Sequence, residues 1–141
     1  MSERLIRLKE KMKQEKYTCI IGNGTKEYSS RERGVKPLLG WIEENVDVRG
    51  YAAADQVVGR AAALLYARLG VTEVYSRVIS EPARKALQDN GIECSFGESV
   101  PYIINRRGDG MCPMEQTVLE INDPDEAVTA LKEKLRSMRQ Q

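Results

Sequence analysis

The chain of 141 residues contains no histidine. That absence removes the side chain most often used as a general base near neutral pH, and the commonest nitrogen ligand for zinc. Cysteine is sparse and odd in number, at Cys19, Cys94 and Cys112. No two of them stand at C-x-x-C or a similar short spacing, so neither a disulfide framework nor a metal site is expected, and reduced thiols point to the cytoplasm. Charge of one sign is missing too. With 22 basic and 21 acidic residues the net charge is +1, which gives no overall attraction to nucleic acid or anionic lipid, so neither is an expected partner. No apolar run approaches the ~18 residues of a membrane span, and the opening MSERLIRLKEKMKQEK is too charged for a secretory core.

The length suits one domain with a full hydrophobic core. Leu5, Leu8 and Met12 recur at helical spacing among charged residues, which predicts an amphipathic surface helix over residues 1–16, its ends free to fray, ahead of a single domain over 17–141. The run YTCIIGNGTKEYSS predicts a hairpin about an Asn23-Gly24 turn, and that turn also accounts for the chance glycosylation match at Asn23. Val35, Leu38, Leu39, Ile42 and Val46 form a helical stripe with Pro37 in its first turn. The stretch DQVVGRAAALLYARLG repeats the pattern, with Asp55 as expected N-cap and Gly70 as stop; Tyr51 to Ala54 run into it as a short buried strand. Trp41 and Tyr51 read as core or rim packing.

VTEVYSRVIS predicts a central strand, SEPARKALQDNG a capped helix, and IECSF and PYIIN two further strands. Asn122 to Pro124 open a last helix with Ala127, Val128, Leu131, Leu135 and Met138 as its apolar positions. The alternation of strands and helices predicts an α/β fold, a three-layer α-β-α sandwich on a mixed sheet with the hairpin at one edge.

In such a layer, helix N-termini gather near the carboxyl ends of parallel strands, where ligands bind and where free N–H groups favour anions. Asp55, Ser80 with Glu81, and Cys112 with Glu115 stand at expected helix starts; Lys36, Arg106 and Arg107 add positive charge. Each also has a structural reading. Asp55 and Ser80 are natural caps, Glu81 a first-turn acid, and adjacent arginines in GDG-type loops are commonly solvated; Lys36 paired to Asp55 would neutralise both. In GDGMCPMEQTV the glycines make a turn, Cys112 sits at the cap, Pro113 opens the helix and Glu115 reaches back to a free N–H. Against that, an upstream arginine pair and a helix start both favour thiolate, and Ser, Thr, Asp or Asn would cap better than Cys.

Asp55-x-x-Val58-Gly59, Gly34-Val35-Lys36-Pro37-Leu38 and Cys112-Pro113-Met114-Glu115 carry a resemblance over roughly residues 17–135. The chain resembles an uncharacterised prokaryotic family, a domain of unknown function similar in fold to the cytidine deaminases. The resemblance implies a deaminase-like layout and a pocket between the helix starts. It does not bring the metal, because zinc deaminases place a His or Cys two residues before a Glu on one helix start and Pro-Cys-x-x-Cys on the next. Here Asp55-Gln56-Val57 and Ser80-Glu81-Pro82-Ala83-Arg84 stand instead. No metal or cofactor is expected.

Three functions follow as expectations. The first is binding of a small anionic or nucleotide-like ligand by Lys36, Asp55, Ser80, Glu81, Arg106 and Arg107. The second is a thiol-dependent enzyme with Cys112 as nucleophile, assisted by Glu115, Asp55 or Glu81 in place of the absent histidine. The third is a non-catalytic interaction module whose charged terminal helices dock a partner. The sequence leaves open whether any reaction is catalysed and whether the chain self-associates.

Overall fold

The computed structural model describes residues 1–139. Five strands form one mixed sheet in the order β2-β1-β3-β4-β5. The hairpin strands β1 (Cys19–Gly22) and β2 (Glu27–Ser30) are antiparallel, and β1 also runs antiparallel to β3 (Ala52–Val58). From there β3, β4 (Glu73–Ser80) and β5 (Glu93–Val100) are parallel, joined by α3 (Arg60–Leu69) and α4 (Glu81–Asp89). The remaining helices are α1 (Glu3–Glu15), α2 (Lys36–Glu43), the short α5 (Pro113–Thr117) and α6 (Pro124–Arg139).

Alternation along the strands separates two cores. Ile21, Ala53 and Val74 face a large cluster with residues of α2, α3, α4 and α6, in which Leu64, Leu65 and Tyr66 of α3 are fully buried. Ile20, Ala52, Ala54 and Tyr75 face the other way, onto Leu5, Leu8 and Met12 of α1. The fraying helix expected at the N-terminus is therefore a packed layer of the fold. Its ends are held: the Ser2 hydroxyl accepts from the Leu5 amide at 3.2 Å, Ser2 and Arg4 both engage Glu73, and Lys16 closes the helix with a positive φ.

Three expected boundaries move. The hairpin turn shifts by one residue: Asn23 pairs with Lys26, its side chain accepts from the Thr25 and Lys26 amides, and Gly24 supplies the positive φ. Asp55 is not an N-cap, because the strand continues through Val58 and α3 starts after Gly59. The spacing of Val57, Val58, Ala61 and Ala62 mimics a helix, but pairing of Asp55, Val57 and Val58 with Ser76, Val78 and Ile79 of β4 wins. PYIIN forms no strand of its own. β5 takes the edge as far as Val100, and residues 103–112 fold back on themselves through one isolated bridge, Ile104 to Met111.

Candidate functional site

A cavity of about 500 Å³ opens beyond the carboxyl end of β3, where β1 begins on one side and α3 on the other. Ligands in open α/β sheets bind at such places. The residues that line it come from β1 (Cys19), the lead into α2 (Arg33 to Val35), β3 (Asp55 to Val57), β4 (Arg77), the loop after β5 (Ile103, Ile104, Arg106) and the start of α5 (Cys112, Met114, Glu115). Four residues expected from sequence thus meet in one place: Asp55, Arg106, Cys112 and Glu115.

Asp55 is half-buried and faces this cavity from the middle of β3. The Tyr66 hydroxyl, from α3, donates to its Oδ2 at 2.6 Å, and the Val57 amide donates to its Oδ1 at 3.2 Å. Across the sheet its register partner is Cys19. Loss of water dominates the carboxyl's acidity. Burial pushes its pKa from the ordinary 3.8 up to about 7, while the Tyr66 hydroxyl and the Val57 and Gln56 amides pull the other way. The same desolvation raises the Cys19 thiol and the Tyr66 phenol, and in both the charge on Asp55 adds to the effect. The three groups form a cluster of acids in which, among the described residues, no cation pairs with Asp55.

Glu115 is also buried, but its oxygens are already engaged. It does not cap its own helix, as the sequence pattern suggested. Its Oε1 accepts from the Arg60 amide at 2.6 Å and its Oε2 from the Ala61 amide at 2.9 Å, so it caps α3 across 55 positions of sequence. Gly59 makes this approach fit, since a Cβ there would stand closer than 3.0 Å to three carboxyl atoms of Glu115. Burial raises the Glu115 pKa, and the two amides and the Arg60 charge oppose that rise. The Arg60 side chain reaches the opposite way, donating to the carbonyls of Val118 (3.1 Å) and Ile121 (2.6 Å) and to Asn122 Oδ1 (2.7 Å). It fastens the α5–α6 connection to α3.

The remaining expected residues lie elsewhere. Lys36 lines a separate groove between α2 and α6, with Leu39, Lys132 and Arg136. Ser80 is fully buried and its hydroxyl accepts the Ala83 amide at 3.2 Å, a cap with no capacity turned to a ligand. Glu81 is exposed in the first turn of α4, and Arg107 is exposed in the loop without lining the cavity. Lys36, Ser80, Glu81 and Arg107 therefore do not converge with Asp55. Sequence reading missed Arg33, Arg77, Cys19, Tyr66 and Arg60. For Arg60 a signal existed: a charged residue in the apolar run GRAAALLYARLG is tolerated in a core only when hydrogen-bonded throughout.

Among the described residues no three His, Cys, Asp or Glu side chains gather closely enough to hold a metal ion. Cys112 lines the cavity half-buried, at the start of a helix of only five residues. Arg33, Arg77 and Arg106 supply positive charge, and among the described residues none of them is in an ion pair with a carboxylate. Arg77 donates instead to the Gln56 amide oxygen at 3.0 Å. Among the described residues no helix is long and apolar enough to cross a membrane.

Comparison with curated proteins finds no match. Among solved structures the chain is similar to a DUF1893 family protein (TM1506) from Thermotoga maritima, with 27% identity and a TM-score of 0.86 over 95% of this chain and 92% of that one. Residues 7–135 match the family described as TM1506, domain of unknown function (DUF1893). A match of that extent takes in most of α1 and α6, every element between them and the whole cavity lining, and the chain belongs to the DUF1893 family.

Proposed function

We propose that the protein binds a small anionic, nucleotide-like ligand in the cavity beside Asp55. One observation carries this reading: three arginines without carboxylate partners among the described residues line a single cavity that also holds a half-buried carboxyl. Guanidinium groups match phosphate and carboxylate geometry, and a cavity of this size suits a ligand of a few hundred daltons. The layout supports a deaminase-like reading of the sheet, with the cavity beside the start of α3. At the next helix start, Pro82-Ala83-Arg84-Lys85-Ala86 stands where a zinc deaminase has Pro-Cys-x-x-Cys, and Ala83 and Ala86 are packed into the core. This supports a pocket retained without the metal. Three free thiols suit the reducing cytoplasm.

The test is thermal melting of the full chain with cytidine 5′-monophosphate, adenosine 5′-monophosphate and inorganic phosphate. At least one should raise the melting temperature, and the double variant Arg33→Ala/Arg106→Ala should lose that rise, whereas Lys36→Ala and Arg107→Ala should keep it. A rise that survives loss of both cavity arginines would place binding elsewhere and sink the reading.

A second reading has one observation in its favour, that Cys112 lines the same cavity as Asp55. In it Cys112 is a nucleophile and Asp55, the carboxyl titrating near neutrality, takes the thiol proton. Glu115 drops out as the base, because both its oxygens hold α3 amides. A stable adduct of an electrophilic nucleotide analogue at Cys112, absent in Asp55→Asn, would favour this reading over simple binding.

A further inference from the structure

Resting on the anion-binding reading above, we propose that the cavity takes up its anion together with a proton, the anion held by Arg33, Arg77 and Arg106 and the proton by the Asp55 carboxyl. The argument is one of charge placement. Among the described residues Asp55 has no cationic partner: its hydrogen bonds come from the Tyr66 hydroxyl on α3 and the Val57 amide on its own strand. The other titratable groups around it are acids, Cys19 on β1, Tyr66 on α3, and Cys112 and Glu115 at the start of α5. Among the described residues the cations lining the cavity are Arg33 ahead of α2, Arg77 on β4 and Arg106 in the loop after β5, all exposed.

Among the described residues the site is thus divided between acids without an ion-pair partner on the sheet side and arginines without a carboxylate partner at the rim. A dianion seated on the arginines neutralises the cations and adds negative charge beside a carboxyl that dipoles alone stabilise. The half-buried carboxyl responds to that charge by binding a proton, and by linkage the proton then strengthens anion binding by the same factor. Glu115 cannot take this role without breaking its two bonds to the amides that open α3.

Isothermal titration of the full chain with sulfate, which does not itself titrate near neutrality, in two buffers of different ionisation enthalpy, reads affinity and proton uptake together. Sulfate should bind several-fold more weakly, up to about tenfold, at about pH 8 than at about pH 6, with a net proton uptake. Asp55→Asn should bind it with neither pH dependence nor uptake. Tyr66→Phe keeps the carboxyl but removes its hydroxyl donor, so it should move the pH midpoint of binding upward; this variant decides the matter should Asp55→Asn fail to fold. Equal affinity at both pH values, uptake that persists in Asp55→Asn, or an unmoved midpoint in Tyr66→Phe overturns the proposal while leaving the anion site standing. Failure of both sulfate and inorganic phosphate to bind at either pH removes the anion-binding reading itself, and the proposal with it.

Discussion

Glu115 and Arg60 hold each other's segments. The Glu115 carboxylate accepts the Arg60 and Ala61 amides at the start of α3, while the Arg60 guanidinium holds the Val118 and Ile121 carbonyls just beyond Glu115's own helix. A buried carboxylate at a helix start is favoured by the dipole and by the free amides, which offsets its cost of desolvation. The exchange ties α5, and with it Cys112 and the loop that lines the cavity, to the centre of the fold.

That arrangement requires the absence of a side chain at residue 59. Gly59→Ala places a methyl group closer than 3.0 Å to three atoms of the Glu115 carboxyl group, so either the carboxylate or the helix start must move. The expected loss is about 1–3 kcal/mol, from overpacking and weakened bonds together. Glu115→Gln, which keeps the shape but turns one acceptor into a donor facing an amide, should cost a similar amount. Urea denaturation reads both, and a Gly59→Ala protein as stable as the wild type would show that the carboxylate is not fixed there.

Asp55 predicts a pH dependence of stability with a definite sign. Its pKa in the folded chain is about 7, against 3.8 ordinarily, so between those values the folded state holds a proton that the unfolded state has released. Stability is therefore fullest below about pH 4 for this group and falls as pH rises to about 7, by up to about 1.4 kcal/mol per pH unit. Glu115, also raised, acts in the same direction. Urea midpoints between about pH 5 and pH 7 should decline in the wild type and flatten in Asp55→Asn; a rise across that range contradicts the assignment.

The sequence made the helices and the parallel run readable because their signals are local. The stripe of Leu38, Leu39 and Ile42 is a matter of spacing within one element, and so are the Ser80 cap and the Gly70 stop. The end of β3 was not readable, since Val57 and Val58 fit either period and only pairing with β4 decides. At the site, Asp55, Cys112, Glu115 and Arg106 were found as residues, yet their roles depended on partners far along the chain. Nothing within a few residues of Glu115 announces that it caps α3, and nothing near Asp55 announces Cys19 or Tyr66. Cys94 is exposed, because β5 is an edge with little covering it.

The N-terminal helix gives a test of the interaction-module expectation. If α1 were a free docking element, its removal would leave the domain intact. Leu8 is 4% exposed and packs with Ile20, Ala52, Ala54 and Tyr75, so Leu8→Ala should cost about 2–4 kcal/mol. Deleting residues 1–15 should expose that whole sheet face and produce aggregation or unfolding, seen by light scattering and circular dichroism. A truncated chain that stays folded would return α1 to the list of partner-binding elements.

The three thiols differ enough in setting to report on the cavity from inside. Cys19 is 3% exposed and its acidity is suppressed by burial and by Asp55, so it should resist alkylation until the chain unfolds. Cys94 is exposed on β5, remote from the cavity lining, and should react in the folded protein, slowed by a raised pKa. Cys112 lines the cavity half-buried and should react as well. With cytidine 5′-monophosphate bound, Cys112 should slow while Cys94 does not, and mass spectrometry of the alkylated peptides separates the two rates. Protection of Cys112 that is lost in Arg33→Ala/Arg106→Ala would tie the ligand, the arginines and the thiol to one space. Protection of neither thiol by a ligand that does raise the melting temperature would put the binding site somewhere other than beside Asp55.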